Sequence, residues 1–421
     1  MLTPSSCPND AAVRRLERRL CLYAGLEDFV LLYPLYALLF AEHGLTTAEI
    51  SSLFALWSLT GLVAEVPSGV WADLVSRRLV LATGPVLTGA GFALWTLVPS
   101  YGAFAAGFVL WGLGGSLRSG AYEALAHDEL ERLGAASRYA RLMGRAAAWS
   151  MAATAAATAA AAPVLAVGGP AAVAAASVIT CVLCAVAGAT LPEHRQRRQH
   201  PEAAPDAGED GPAGPAGTLR AGLAEARGSA PVRRALLLSV AVTSLWGALD
   251  EYVPLLAAAT GAAASAVPLL VLVVWAGVTA GALLVGRGER LSGRATGVLL
   301  AGGAAATAAG ALSGHPAGLL LVGAGFLVFQ LTDVLVDARL QAAITGPSRA
   351  TVTSLAGLGS GAGTLAVYAA YAALSGHASH GTVFALLVLP YLAVAAALCA
   401  RPAPTARAVA PAQGPRDRVA D

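Results

Sequence analysis

Long unbroken apolar stretches divide this chain. They fall at about 20–42, 49–71, 79–99, 102–127, 146–167 and 170–191, and resume after a gap at about 235–258, 264–286, 296–313, 316–338, 350–375 and 381–400. A bilayer core about 30 Å thick is crossed by roughly 20 apolar residues of helix. The pattern therefore predicts an all-α membrane protein of twelve transmembrane helices, arranged as two six-helix bundles. The fifth and ninth stretches are Ala-rich and carry the weakest hydropathy signal.

Composition strengthens this picture. Of the 421 residues, 57% are hydrophobic and only 12% charged, too few to cover a soluble core of this size. Charge placement then orients the helices. The chain has no lysine, so all 27 basic residues are arginine. With the N-terminus inside, every arginine except Arg118 falls in or at the edge of a cytoplasmic segment, and the external loops carry none. Arg14, Arg15, Arg18 and Arg19 precede the first span. Its full-span length reads as a signal-anchor rather than a cleavable leader. The expected location is the cell (inner) membrane, multi-pass, with both termini cytoplasmic. The arginine and alanine bias points to a GC-rich bacterial genome.

The same composition excludes several chemistries. Without lysine there is no G-x-x-x-x-G-K-[ST] phosphate loop and no Schiff base. Cys181 and Cys184 share a helix face at mid-membrane without a second ligand pair, and the seven histidines are scattered. No cofactor, no metal site, no nucleic-acid partner and no enzymatic centre is expected. The expected partners are a small molecule, protons and the lipid bilayer, with the protein a monomer.

The predicted organisation is a bundle over 1–191, a Pro-rich cytoplasmic linker over 192–232, a second bundle over 233–400 and a disordered tail over 401–421. The halves carry matching landmarks. Glu27-Asp28 with Tyr33-Pro34-Leu35 in span one parallels Asp250-Glu251-Tyr252 with Pro254-Leu255 in span seven. Acidic stretches ending in Ser137-Arg138 and Ser348-Arg349 parallel each other after spans four and ten. Their common order predicts a duplicated six-helix unit.

Ionisable side chains at bilayer depth cost about 2.5–3.5 kcal/mol each on insertion scales, so they face a cavity or a partner. Glu27, Asp28, Arg118, Glu123, Asp250, Glu251, Asp333 and Asp337 concentrate in the first and fourth helix of each half, which predicts a polar pathway among those four helices. Asp28 and Asp250 are the leading proton or substrate carboxylates. Their neighbours Glu27 and Glu251 point about 100° away on an ideal helix. Arg118 and Glu123 are read as an intrahelical pair near the inner gate.

The segment following span two reads Glu65-Val66-Pro67-Ser68-Gly69-Val70-Trp71-Ala72-Asp73-Leu74-Val75-Ser76-Arg77-Arg78. It resembles the loop 2–3 signature of the major facilitator superfamily (MFS), G-x-x-x-D-[RK]-x-G-[RK]-[RK]. Gly69, Asp73, Arg77 and Arg78 match it, while Leu74 and Ser76 depart from it. The resemblance implies a cytoplasmic gate built from Glu65, Gly69, Asp73, Arg77 and Arg78, with Asp128 as a partner for the arginines. Within the superfamily the chain is similar to the drug:proton antiporter branch. It departs from that branch at Trp111, where an arginine is usual, and at Ala162-Pro163-Val164-Leu165-Ala166, where the branch ends G-P-x-x-G-G. The function this resemblance implies is proton-coupled efflux of a small organic compound by alternating access. The alternatives are proton-symport uptake of a metabolite, or a non-transporting receptor or scaffold, which would fit charged faces that fail to converge.

Overall fold

The computed structural model describes residues 8–74, 76–194, 227–344 and 349–400; the side chains of 65–74 lie outside the description, as do most of the linker and the tail over 401–421. Among the described residues every regular element is helical. The first half contains α1 (Pro8–Asp28), α2 (Tyr36–Glu42), α3 (Thr47–Leu74), α4 (Arg77–Leu97), α5 (Tyr101–Arg118), α6 (Ala121–Arg132) and α7 (Tyr139–Ala189). The second contains α8 (Ala230–Asp250), α9 (Val253–Ala259), α10 (Val267–Leu283), α11 (Gly293–Leu312), α12 (Gly318–Ala343), α13 (Arg349–Ser375), α14 (His380–Leu387) and α15 (Pro390–Cys399).

Three pairs of these elements combine, and one element divides, to give rods of bilayer length. The pairs α1/α2 and α8/α9 are each one rod broken near its middle, and α14/α15 is one rod with Pro390 at its joint. Helix α7 is two rods. Glu17 meets Arg145 and Ala24 meets Ser150, so its first part runs parallel to α1. Tyr23 meets Cys184 and Leu32 meets Ser177, so its second part runs antiparallel. The reversal falls at Gly169 (φ +66°, ψ −173°), a backbone conformation that only glycine adopts readily, followed by Pro170. Grouped in this way, the described residues give six rods on each side of the linker. Among the described residues eight helical stretches, with α7 counted once and α14/α15 taken together, are long and apolar enough to cross a membrane.

Two boundaries differ from the apolar runs. The first helix starts at Pro8, so the four N-terminal arginines lie on its exposed side rather than ahead of it. Val13, Leu16 and Leu20 hold its other face in the bundle. The fourth run, read to 127, stops at Arg118. Gly120 (φ +78°) breaks the chain there, and α6 restarts as a separate amphipathic helix whose alternating apolar face had prolonged the hydropathy signal.

The duplication is visible in the packing. Helices α4 and α5 touch backbone to backbone at Gly84/Gly114 and Gly91/Gly107, where an added Cβ on Gly84 would sit 2.9 Å from a carbonyl oxygen. In the second half α11 and α12 meet at Gly303/Gly325 and Gly310/Gly318. Both pairs use glycines seven apart on each helix, the small-residue contact that lets membrane helices approach closely.

Apolar packing is uneven along the bundle axis. The linker end, where the helix termini around the linker gather, has two separate cores. One lies in the first half (Leu16, Tyr23, Leu81, Leu125), the other in the second (Val232, Leu340, Ile344, Val352). At the far end a single core joins both halves, including Phe54, Phe108, Tyr252 and Tyr368. Helix α3 packs on α13 and α7 on α10 across that seam. The molecule is therefore closed at the far end and parted at the linker end.

The break in α1/α2 is held by a specific contact. Pro34 cannot donate, and the turn over residues 29–35 frees backbone amides. The Leu32 N–H finds the Ser177 hydroxyl at 3.1 Å, and Ser177 itself is fully buried. Leaving a buried amide unpaired costs about 1–3 kcal/mol. Ser177→Ala is expected to lower the melting temperature of the detergent-solubilised protein by that equivalent, whereas Ser177→Thr keeps the hydroxyl and loses less. An unchanged melting temperature in Ser177→Ala would show that water satisfies the amide.

Candidate functional site

A cavity of about 420 Å³ lies between the halves. Its charged groups come from the ends of helices. Helix α1 terminates at Asp28 and α8 at Asp250, just before Pro34 and Pro254 interrupt regular structure, so Glu27, Asp28, Asp250 and Glu251 all reach the cavity. Both members of each pair line the cavity despite their separation of about 100° around the helix, because each pair lies at the end of its helix. Glu27 and Glu251, the less favoured members of each pair by sequence, make the defined contacts. Arg118 at the end of α5 brings its Nε to 2.6 Å from Glu27 Oε1. The Tyr36 hydroxyl donates to Glu251 Oε2 across the two halves. Asp250 Oδ1 and Glu27 Oε2 are buried and have no hydrogen-bond partner among the described residues.

Aromatic rings form the rest of the wall. Trp111 stacks on Tyr33 (centroids 5.4 Å apart, planes at 12°) and on Trp57 (4.8 Å, 27°). This indole occupies the position where the antiporter resemblance leads one to expect arginine. Above the cavity the seam is sealed by the Tyr252 hydroxyl donating to Ser51 Oγ at 2.7 Å and by Tyr252 packing edge-on against Phe54 at 5.3 Å. Trp246 instead packs edge-on against Phe326 inside the second half.

Not every expected pathway residue joins this group. Glu123 is exposed and caps α6, its Oε2 accepting from the Gly120 N–H at 3.1 Å. It makes no pair with Arg118, because the helix that would have aligned them is broken between the two. Asp333 lies in α12 and accepts from the Thr243 hydroxyl of α8 at 2.5 Å, turned inward within the second half, and Asp337 is exposed one turn beyond. The charged faces of rods one, four and seven converge. That of rod ten does not.

At the linker end Arg77 reaches Asp128 at 2.5 Å, the partnership implied by the loop resemblance. The Arg78 side chain is exposed at the start of α4, and the side chains of Glu65, Gly69 and Asp73 lie outside the described residues. Three acids that the sequence reading did not single out organise this end. Glu193 accepts from the Arg77 N–H at 2.8 Å and from the Ser76 hydroxyl, placing a carboxylate at the positive end of α4. Glu17, buried in α1, pairs with Arg138 and Arg145 at 3.1 Å each. Buried Glu129 pairs with Arg132 at 3.0 Å and contacts His194 at 3.1 Å. The Glu193 and Glu17 contacts bridge more than a hundred residues, so no local spacing announces them; Glu129–Arg132 is the local exception.

Two broken rods presenting acids at one inter-half cavity, with a seam closed on one side only, are the layout of an alternating-access carrier. Residues 23–336 match the sequence profile of the Major Facilitator Superfamily. The chain belongs to this superfamily. No curated protein matches it in sequence. Among solved structures this MFS member is similar to the nucleoside transporter NupG (12% identity, TM-score 0.69, covering 92% of this chain and 98% of that one). It is also similar to a bacterial homologue of the human lysosomal transporter Spinster in an inward-facing, unoccupied conformation (14%, 0.63, 94% and 95%). A third is the POT family transporter PepTSo (14%, 0.64, 91% and 97%). At such identities these likenesses speak for the fold, that of a multi-span membrane transporter.

Proposed function

We propose that this MFS protein is a proton-coupled secondary transporter that exports a small organic molecule, as a monomer, from the cytoplasm across the inner membrane. The observation that carries this reading is that Glu27, Asp28, Asp250 and Glu251 face one cavity. Protons and cargo then compete for a single place, and competition for a shared site is exchange rather than co-transport. With an inward proton gradient, exchange moves cargo outward. The linker end is cytoplasmic in this reading, so the parted end is inward-facing. Closing it requires the halves to rock about the cavity. The gate motif at Glu65, Gly69, Asp73, Arg77 and Arg78, with Asp128, would hold the inner end during that cycle.

The test is a flux measurement. Everted vesicles from cells producing the protein, energised to carry protons inward, should show cargo-dependent dissipation of the gradient for some members of a broad compound panel. Absence of any cargo-dependent proton movement, with cargo entry still gradient-independent, would point to facilitated diffusion instead. Orientation is checked separately. A cysteine placed at Gly208 in the linker should resist an impermeant thiol reagent in intact cells and react in everted vesicles. Labelling in intact cells would invert the assignment, turning export into uptake.

A further inference from the structure

We infer that the cargo of this cavity is an organic cation with an aromatic or bulky apolar body. The inference rests on the reading of the cavity as the cargo site. Its first support is the charge inventory. Four carboxyl groups face the cavity against one guanidinium, and that guanidinium, Arg118, is already engaged with Glu27 at 2.6 Å. Asp28, Asp250 and Glu251 are left without a basic partner among the described residues, and Asp250 Oδ1 without any hydrogen-bond donor.

The second support is the direction of the helices. Both α1 and α8 end at the cavity, at Asp28 and Asp250. A helix C-terminus carries about half a unit of negative charge on its free carbonyls, and cations, not acids, are the favoured side chains there. Two such ends capped by acids add their fields to those of the carboxylates. A cationic cargo is attracted by every one of these groups. An anion is opposed by them, and a carboxylate-bearing cargo finds its only counter-charge occupied by Glu27.

The third support separates an organic cation from a metal ion. Tyr33, Trp57 and Trp111 stack together on the cavity wall, and aromatic rings lining a desolvated site attract diffuse cations. A volume of about 420 Å³ also far exceeds what a bare ion fills and lies in the range of small-molecule pockets.

The experiment is calorimetric titration of the purified full-length protein in detergent with a matched series. The probes are benzyltrimethylammonium, its neutral carbon analogue neopentylbenzene, phenylacetate, and sodium ion alone. Benzyltrimethylammonium is expected to bind at least about tenfold more tightly than neopentylbenzene, with no measurable binding of phenylacetate. Asp250→Asn should weaken the cation about tenfold and Asp250→Glu should restore it; Trp111→Leu should weaken it in a protein that melts normally. Equal affinity for the neutral analogue, preference for phenylacetate, or displacement of the cation by sodium at comparable concentration would each overturn the assignment. The wild-type series decides even where a variant fails to fold. Counterflow in proteoliposomes keeps the two readings apart. Flux without cation preference sinks this inference alone, whereas cation binding without flux supports it and sinks the transport reading.

Discussion

Proteoliposomes containing Asp250→Asn are expected to lose proton-driven cargo movement by about a hundredfold at saturating cargo, the equivalent of about 2.7 kcal/mol, while gradient-independent exchange of cargo persists. Asp250 sits at the last residue of α8, against the cavity, with a buried carboxylate oxygen that no described group hydrogen-bonds. A carboxylate in that position is tolerated only when solvated, paired or protonated. Among the described residues no basic group pairs with it, which leaves it to water, a proton or cargo. The amide keeps shape and volume but cannot carry a proton, and saturating cargo offsets its weaker binding, so the remaining loss of flux reports coupling. The check is a proton-gradient-driven flux assay beside a counterflow assay on the same vesicles. Wild-type accumulation in Asp250→Asn would move the coupling role to Asp28 or to Asp333, the acid held by Thr243.

Arg118→Gln should be more damaging to folding than any single acid substitution in the cavity. Arg118 is the one cation facing the cavity among the described residues, and it neutralises Glu27 at 2.6 Å. Removing it leaves Glu27 charged with both oxygens unpaired. We expect a loss of about 2 kcal/mol, below the roughly 3–5 kcal/mol for breaking a fully buried ion pair, because the Arg118 side chain is still 37% exposed. The double variant Glu27→Gln/Arg118→Gln replaces the pair by two amides that can hydrogen-bond each other, and should recover most of that stability. Transport should stay low in both, since the double variant restores neutrality without restoring the charge. Melting of the three proteins in one detergent provides the comparison. A double variant no more stable than Arg118→Gln would show that the pair does not hold α1 to α5.

Much of the architecture was legible because bilayer-spanning helices advertise themselves by length. The boundary read between 167 and 170 coincides with Gly169, where a Gly-Gly-Pro sequence leaves the chain little choice but to turn. The fourth run was over-read because Ala121, Leu125 and Ala126 are apolar for a different reason, the amphipathic packing of α6. Hydropathy cannot tell a helix that continues from one that restarts after a left-handed glycine. At the site, the acidic pairs were legible as a pattern, and the choice within each pair was not. The choice depended on where α1 and α8 end, which is set by Ser177 and the prolines rather than by the acids themselves. The Arg/Glu lattice of the linker end was invisible as structure, since the same arginines already satisfied the topology rule and gave no further signal.

The glycine contacts carry a mechanical consequence. Where two helices meet carbonyl against Cα with no side chain between them, a slip of one residue would drive a Cβ into the opposing backbone. Helices α4 and α5, and their counterparts α11 and α12, are each locked at two such points a full two turns apart. Each pair is a splint that can tilt as a body but cannot slide or unzip. A motion of the halves would therefore bend rods outside these two pairs, and two of the three interrupted rods, α1/α2 and α8/α9, are the ones that deliver the acids. Bending at either break would re-aim those acids.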